Sequence, residues 1–190
     1  ASPEADMLDG VFTYGQVICE MTFNSEVKKA LEASKMPESK KKKLGAIMNE
    51  RNIDNAKLIM SFIRKYTEGY VCKADKSAPI GSIIKGMLTS PDYCFKDFKA
   101  VAINGYMKNS SLMKELLEID MRNVLENVKV PYFIMQGDKD IVTSTEMVKS
   151  FISETGNNNL SFAEIENSGH IPGGSAMKKI VGEIVRRASS

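Results

Sequence analysis

The feature that most constrains this chain is a continuous apolar run, Val130-Pro131-Tyr132-Phe133-Ile134-Met135, that stops at Gly137. A strand with one wet face alternates apolar and polar residues. An unbroken run fits a strand covered on both faces, as in a parallel sheet flanked by helices. Pro131 lies at its start, where a missing backbone donor is tolerated. A strand is therefore expected over Val128 to Gln136. Two further stretches read as strands: Leu8 to Tyr14, ending at Gly15, and Leu160 to Ile165, ending near Gly169. The last is more polar and alternates poorly, which predicts a place near a sheet edge.

Helical patterns follow the second and third strands. Thr143 and Glu146 have the spacing of a capping box, and Met147, Val148, Phe151 and Ile152 then share one face. The final pattern carries Met177, Ile180, Val181, Ile184 and Val185 on one stripe. Strand, helix, strand, helix predicts a parallel α/β sheet with right-handed crossovers that bury these faces. The stretch 18–127 reads differently, as helices without a convincing strand. Its apolar stripes are Val27, Ala30 and Leu31; Leu58, Ile59, Phe62, Ile63 and Tyr66; Ile80, Ile83, Ile84, Met87 and Leu88; and Leu112, Met113, Leu116 and Leu117. The organisation expected is a first core strand within 1–17, an all-helical insertion over 18–127, and a C-terminal α/β core segment over 128–190.

Composition removes several classes of function. Lys+Arg number 26 against 24 Asp+Glu, so there is no basic field to attract nucleic acid. The run Lys40 to Lys43 reads as a solvated helix face. No apolar run approaches the roughly 20 residues that span a bilayer, and no secretory signal is visible in Ala1-Ser2-Pro3-Glu4-Ala5-Asp6. Cys19, Cys72 and Cys94 are odd in number and widely spaced, which argues for reduced thiols rather than a disulfide framework or a zinc site. A cytoplasmic protein without cofactor, metal, nucleic-acid or membrane partner is the expectation. The 12 Met fit core filling, with an adaptable apolar pocket as the alternative.

The chemistry-bearing segment is Gly137-Asp138-Lys139-Asp140-Ile141-Val142-Thr143, directly after the strongest strand. His170, the only histidine, follows the next strand in Asn167-Ser168-Gly169-His170. Both lie past the C-terminal ends of predicted parallel strands, the edge where open α/β sheets form their sites. There a carboxylate can accept from one imidazole nitrogen and fix the tautomer, leaving the other nitrogen as a general base. The same residues also suit plain turn and cap roles, with Asp138 and Asp140 leading into the next helix.

This order of strand, Gly-x-x-Asp-x-Val, helix, strand and Ser-Gly-His resembles the C-terminal part of α/β-hydrolases. More narrowly, Thr89-Ser90-Pro91-Asp92-Tyr93 with Lys96-Asp97, then Gly105, Ile119-Asp120 and Val130-Pro131-Tyr132-Phe133, looks like the prolyl-aminopeptidase-like branch. Gly15-Gln16-Val17 looks like the end of the strand that precedes that branch's helical cap. The resemblance implies a partial α/β-hydrolase fold of class α/β, a short parallel sheet with helices plus an all-helical cap. It implies Asp140 as the triad acid, with Asp138 as the second choice, and His170 as the triad base. One departure matters. The family places a Ser in Gly-x-Ser-x-Gly before the cap, and the sequence contains no such motif. The expected function is the C-terminal part of a serine peptidase, amidase or esterase that does not hydrolyse alone. The chain then reads as one that begins after the nucleophile. Its expected partners are an N-terminal hydrolase fragment or a second copy at an exposed sheet edge, and a small-molecule or peptide substrate. The alternative is a non-catalytic relic that serves as an oligomerising interaction module or small-molecule binder.

Overall fold

A computed structural model describes residues 8–75, 80–100 and 109–188. Its centre is β2 (Tyr132–Gly137), paired in parallel with β1 (Val11–Tyr14) on one side and β3 (Leu160–Ile165) on the other. The second half of the continuous apolar run, Phe133-Ile134-Met135, is buried on both faces as it predicts, whereas Pro131 is exposed and Val130 and Tyr132 are half-buried. Ile134 faces one layer, with Val148 and Phe151 of α8 (Thr145–Thr155). Phe133 and Met135 face the other, with Ala176 and Ile180 of α9 (Gly174–Ala188). Phe133, Ile134 and Met135 are nearly inaccessible, so both faces of the strand stabilise the fold. The polar β3 is an edge strand, as its sequence predicts, and β1 is the other.

Two strands are shorter than expected. The segment before β2 is used differently: the Val128 carbonyl accepts from the side-chain amides of Asn157 and Asn159, at 3.2 and 3.1 Å. That clamp holds the turn ahead of β3 and leaves Val128 outside the ladder. In β1, the ladder opens with Val11 N donating to Pro131 O at 2.8 Å.

Between β1 and β2 the described elements are helical. They are α1 (Ser25–Ala33), α2 (Glu38–Asn49), α3 (Ile53–Tyr66), α4 (Ile80–Thr89), α5 (Phe95–Phe98), α6 (Ser110–Glu118) and α7 (Arg122–Glu126). Asn24, Asn52 and Asn109 each cap a helix by accepting from a backbone N–H three residues on. Val27, Leu31, Leu44, Ile59 and Ile63 are fully buried and, with Met113, form a core separate from the sheet. Lys40 to Lys43 lies on α2. Lys42 and Lys43 are exposed, but the Lys40 ammonium reaches the Tyr66 hydroxyl and lies over the Phe62 ring. Of the third predicted stripe, the side chains of Ile80 and Ile83 lie outside the described residues, as does Gly105; Leu88 is exposed. The two ends of the helical stretch meet where Cys19 bridges Asp120, with Met121 N donating to Ile18 O at 2.8 Å. Ile18 and Leu125 pack into the sheet's own core with Ile134 and Leu160, so α7 lies on the sheet layer.

The final helix corrects its sequence reading. Ala176 and Ile180 are buried, but Met177, Val181 and Val185 are exposed. The apolar stripe is wider than the three strands present can cover. Among the described residues, no helix is long and apolar enough to cross a membrane.

Candidate active site

The loop after β2 turns sharply because Gly137 lets another chain segment come close. A Cβ there would stand 2.3 Å from the Ser168 carbonyl oxygen, inside any allowed contact. The loops after β2 and β3 are thereby pressed together. Asp138 joins them, its carboxylate accepting from Ser168 N at 2.9 Å, while Lys139 N donates to Ser168 O at 3.0 Å. Asp138 thus braces the turn.

Asp140 is the buried acid, with its side chain wholly covered. Its Oδ1 accepts from Val142 N at 2.9 Å and Thr143 N at 3.1 Å. Its Oδ2 accepts from the Thr143 hydroxyl at 2.7 Å and lies 3.1 Å from His170 Nδ1. Each oxygen of this buried carboxyl group thus has polar partners, as burial away from water requires. In the tautomer whose Nδ1–H donates to Asp140, Nε2 of the half-buried imidazole is the nitrogen that carries a free lone pair. The structure thus brings Asp140 and His170 together, and places Asp138 on the neighbouring backbone.

Thr143 is not the helix cap that its spacing with Glu146 suggests. Ser144 is, its hydroxyl oxygen accepting from Met147 N at 3.1 Å. Thr143 is released to serve Asp140, and the Gln136 amide donates at 3.3 Å to both its carbonyl and its hydroxyl oxygen.

Several groups holding the site have no local sequence signal. Tyr14, at the end of β1, donates its hydroxyl to Gly169 O at 2.6 Å and lies 2.6 Å from the Ser168 hydroxyl. Burial pushes the Tyr14 phenol up to about 12, although its bond to Ser168 opposes the rise. It stays a neutral donor across the ordinary pH range. From the helical layer, Gly69 O and Tyr70 O accept from His170 N and Ile171 N at 2.9 and 2.8 Å. The segment from Thr67 to Asp75, a strap across the site, also reaches the acid loop through Glu68, which pairs with Lys139 at 2.9 Å. That bond first, then one from Cys72, holds the Glu68 carboxyl below its usual range. Thr22 N and the Asn24 amide donate to Val142 O and Ile141 O.

The strap ends at Asp75, which is buried against α9. Gly173 stands at the N-cap and has no side chain to offer. Asp75 substitutes from 100 residues away, accepting from Ser175 N and Ala176 N at 2.9 Å each and from the Ser175 hydroxyl. A Cβ on Gly173 would meet the Asp75 carboxyl at 2.5 Å, so the glycine makes room for the distant cap. Burial opposes ionisation of Asp75, but the Ser175 hydroxyl and the backbone N–H donors prevail and lower its pKa.

Beside the imidazole lies a cavity of about 390 Å³, lined by Met21, Met60, Leu112, Leu116 and Ile171 with the Tyr70 ring. The Tyr70 and His170 ring centroids are 6.0 Å apart. The His170 ring thus borders an apolar recess formed mainly by the helical layer.

No protein-family model matches the chain, and no curated protein sequence matches it. Solved structures do. A crystal structure of VinJ aligns with a TM-score of 0.56 at 15% identity, covering 95% of this chain and 57% of that one. Proline iminopeptidase from Mycobacterium smegmatis aligns at 0.47 and 12%, covering 96% and 55%. MGS-M2, an alpha/beta hydrolase enzyme from a Medee basin deep-sea metagenome library, aligns at 0.44 and 12%, covering 94% and 54%. The chain spans little more than half the length of the structures it matches.

Proposed function

The chain carries a partial α/β-hydrolase fold, and from that premise we propose that Asp140 and His170 are the acid and base of a serine-type hydrolytic site. The nucleophile comes from polypeptide outside these 190 residues, since the sequence holds no Gly-x-Ser-x-Gly. The observation that carries this reading is the 3.1 Å contact between His170 Nδ1 and Asp140 Oδ2 beside an apolar cavity.

In this reading the substrate is an ester or amide. His170 Nε2 takes the nucleophile's hydroxyl proton as its oxygen attacks the carbonyl carbon, and returns that proton to the departing alcohol or amine. Water then repeats the sequence: Nε2 takes a water proton, the hydroxyl adds to the acyl carbon, and the nucleophile leaves with the proton. Asp140 fixes the ring and stabilises the imidazolium formed in each half. The donors that stabilise the oxyanion belong to the segment that brings the nucleophile.

The test uses the sole histidine as a reporter. Nitrogen chemical shifts of the His170 ring should give a neutral tautomer protonated at Nδ1, and Asp140→Asn should abolish that preference. A wild-type ring protonated at Nε2 sinks the assignment. The chain alone should show no burst with an activated ester; a burst would place a nucleophile within it.

A second reading is an interaction module, favoured by the open side of β1. Val11 and Gly15 donate toward β2, so the main-chain groups of Phe12 and Tyr14 point to the other edge. On α9, which packs against the same sheet, Met177, Val181 and Val185 are exposed. The partner is a parallel strand with a covering helix, from the nucleophile-bearing segment or from a second copy. Light scattering distinguishes these: a concentration-dependent dimer supports the second copy, and a monomer supports the first.

A further inference from the structure

The cavity beside His170 has walls of one chemical kind. Met21, Met60, Leu112 and Leu116 are apolar, and the polar atoms among its lining side chains are those of Tyr70 and His170. Each already has a charged partner. The Tyr70 hydroxyl accepts from the Arg64 guanidinium at 3.0 Å, and the same cation lies 4.3 Å from the Tyr70 ring centroid. His170 is bonded to Asp140, and both carboxylate oxygens of Asp140 already accept bonds, from Val142, Thr143 and His170 itself. Among the described residues lining the recess, a cationic amine therefore finds no carboxylate. Burying an unpaired ammonium is costly, whereas burying alkyl surface against Met and Leu is favourable.

We propose that this cavity receives the neutral apolar acyl group of an ester or amide and rejects acyl groups that carry a free α-amine. The inference rests on the reading of Asp140 and His170 as a hydrolytic pair, and assigns that pair its substrate class. Met21 and Met60 adapt to chain shape, so selectivity is for neutrality more than for one side chain. Leu112 is the residue at which specificity can be changed: it sits on α6 at the cavity and is partly solvent-exposed, so a charge there is tolerated.

Two probes of matched shape test this, isocaproamide and leucinamide, which differ only in the α-amine. With the chain as it stands, isocaproamide should shift the methyl signals of Met21 and Met60 and the ring signal of His170 in a saturable manner. Leucinamide should require at least about tenfold more ligand at neutral pH, the ratio expected when an ammonium is left unpaired. Leu112→Glu should reverse the order by supplying a carboxylate. Equal or tighter binding of leucinamide to the unaltered chain, or no saturable shift with isocaproamide, overturns the proposal. The hydrolytic reading is judged separately by the His170 tautomer. A correct tautomer with the wrong ligand order rejects only the substrate class, and the wrong tautomer rejects the hydrolytic pair whatever the cavity binds.

Discussion

Thr143 shows how one side chain can couple a turn to an acid. Its backbone N–H and its hydroxyl bind opposite oxygens of Asp140, and the hydroxyl also lies 3.5 Å from His170 Nδ1. Thr143→Val keeps the shape and removes one donor from a buried carboxylate. It should cost about 1–3 kcal/mol in chemical denaturation and weaken the His170 tautomer preference, with Thr143→Ser restoring both. Unchanged stability would show that the hydroxyl bond is idle. Tyr14 yields a prediction in pH. Its unfolded phenol ionises near 10 and its folded phenol near about 12. The contribution is complete below pH 10 and is lost as pH rises through the folded value. Alkaline unfolding followed by phenolate absorbance should therefore show a loss of stability in that window, and Tyr14→Phe should lack this component. The pairing of Asp140 with His170 was readable as two residue types at matching strand ends. The part played by Thr143 was not, because its spacing with Glu146 fits a helix cap equally well and only three-dimensional packing gives that task to Ser144.

Among elements, α9 depends most on distant sequence. A helix beginning at Gly173-Gly174 has no local cap, and Asp75 supplies one through two backbone bonds. Asp75→Ala should cost about 0.5–2 kcal/mol, the usual value of an N-cap, and fray the first turn of α9 in amide exchange. The sign in pH follows from the lowered carboxyl. Stability from Asp75 is full above the ordinary value of 3.8 and disappears as pH falls through the lower folded value. Acid titration of Asp75→Asn should lack this component; identical acid curves would refute the role. The β2 run was legible because it is apolar without interruption, and the α8 face because its apolar residues recur at helical spacing. The Asp75 cap was not, since no periodicity links residues 100 positions apart. The α9 stripe was legible as apolar, but its burial depends on how many strands lie beneath it.

For the whole molecule, association is proposed to run through the open flank of the sheet. Val181→Glu adds charge where Val181 is already 51% exposed, so the chain's own stability should change by no more than about 0.5 kcal/mol. The same change should abolish binding of a completing segment or second copy, read by analytical ultracentrifugation. Undiminished association would move the interface elsewhere. The strap from Thr67 to Asp75 has a different consequence. It carries bonds to the acid loop, the histidine loop and the start of α9, so each is anchored by residues on the far side of a long sequence interval. Such contacts close late, after the chain has already lost much of its entropy. The helical layer and the sheet should consequently gain their final order in one kinetic event. A recombination that exchanges the layer for another of similar size would leave the histidine loop unseated unless the strap travelled with it. Inheritance of this site is then inheritance of a seam, and the seam is written in two places in the sequence that must change together.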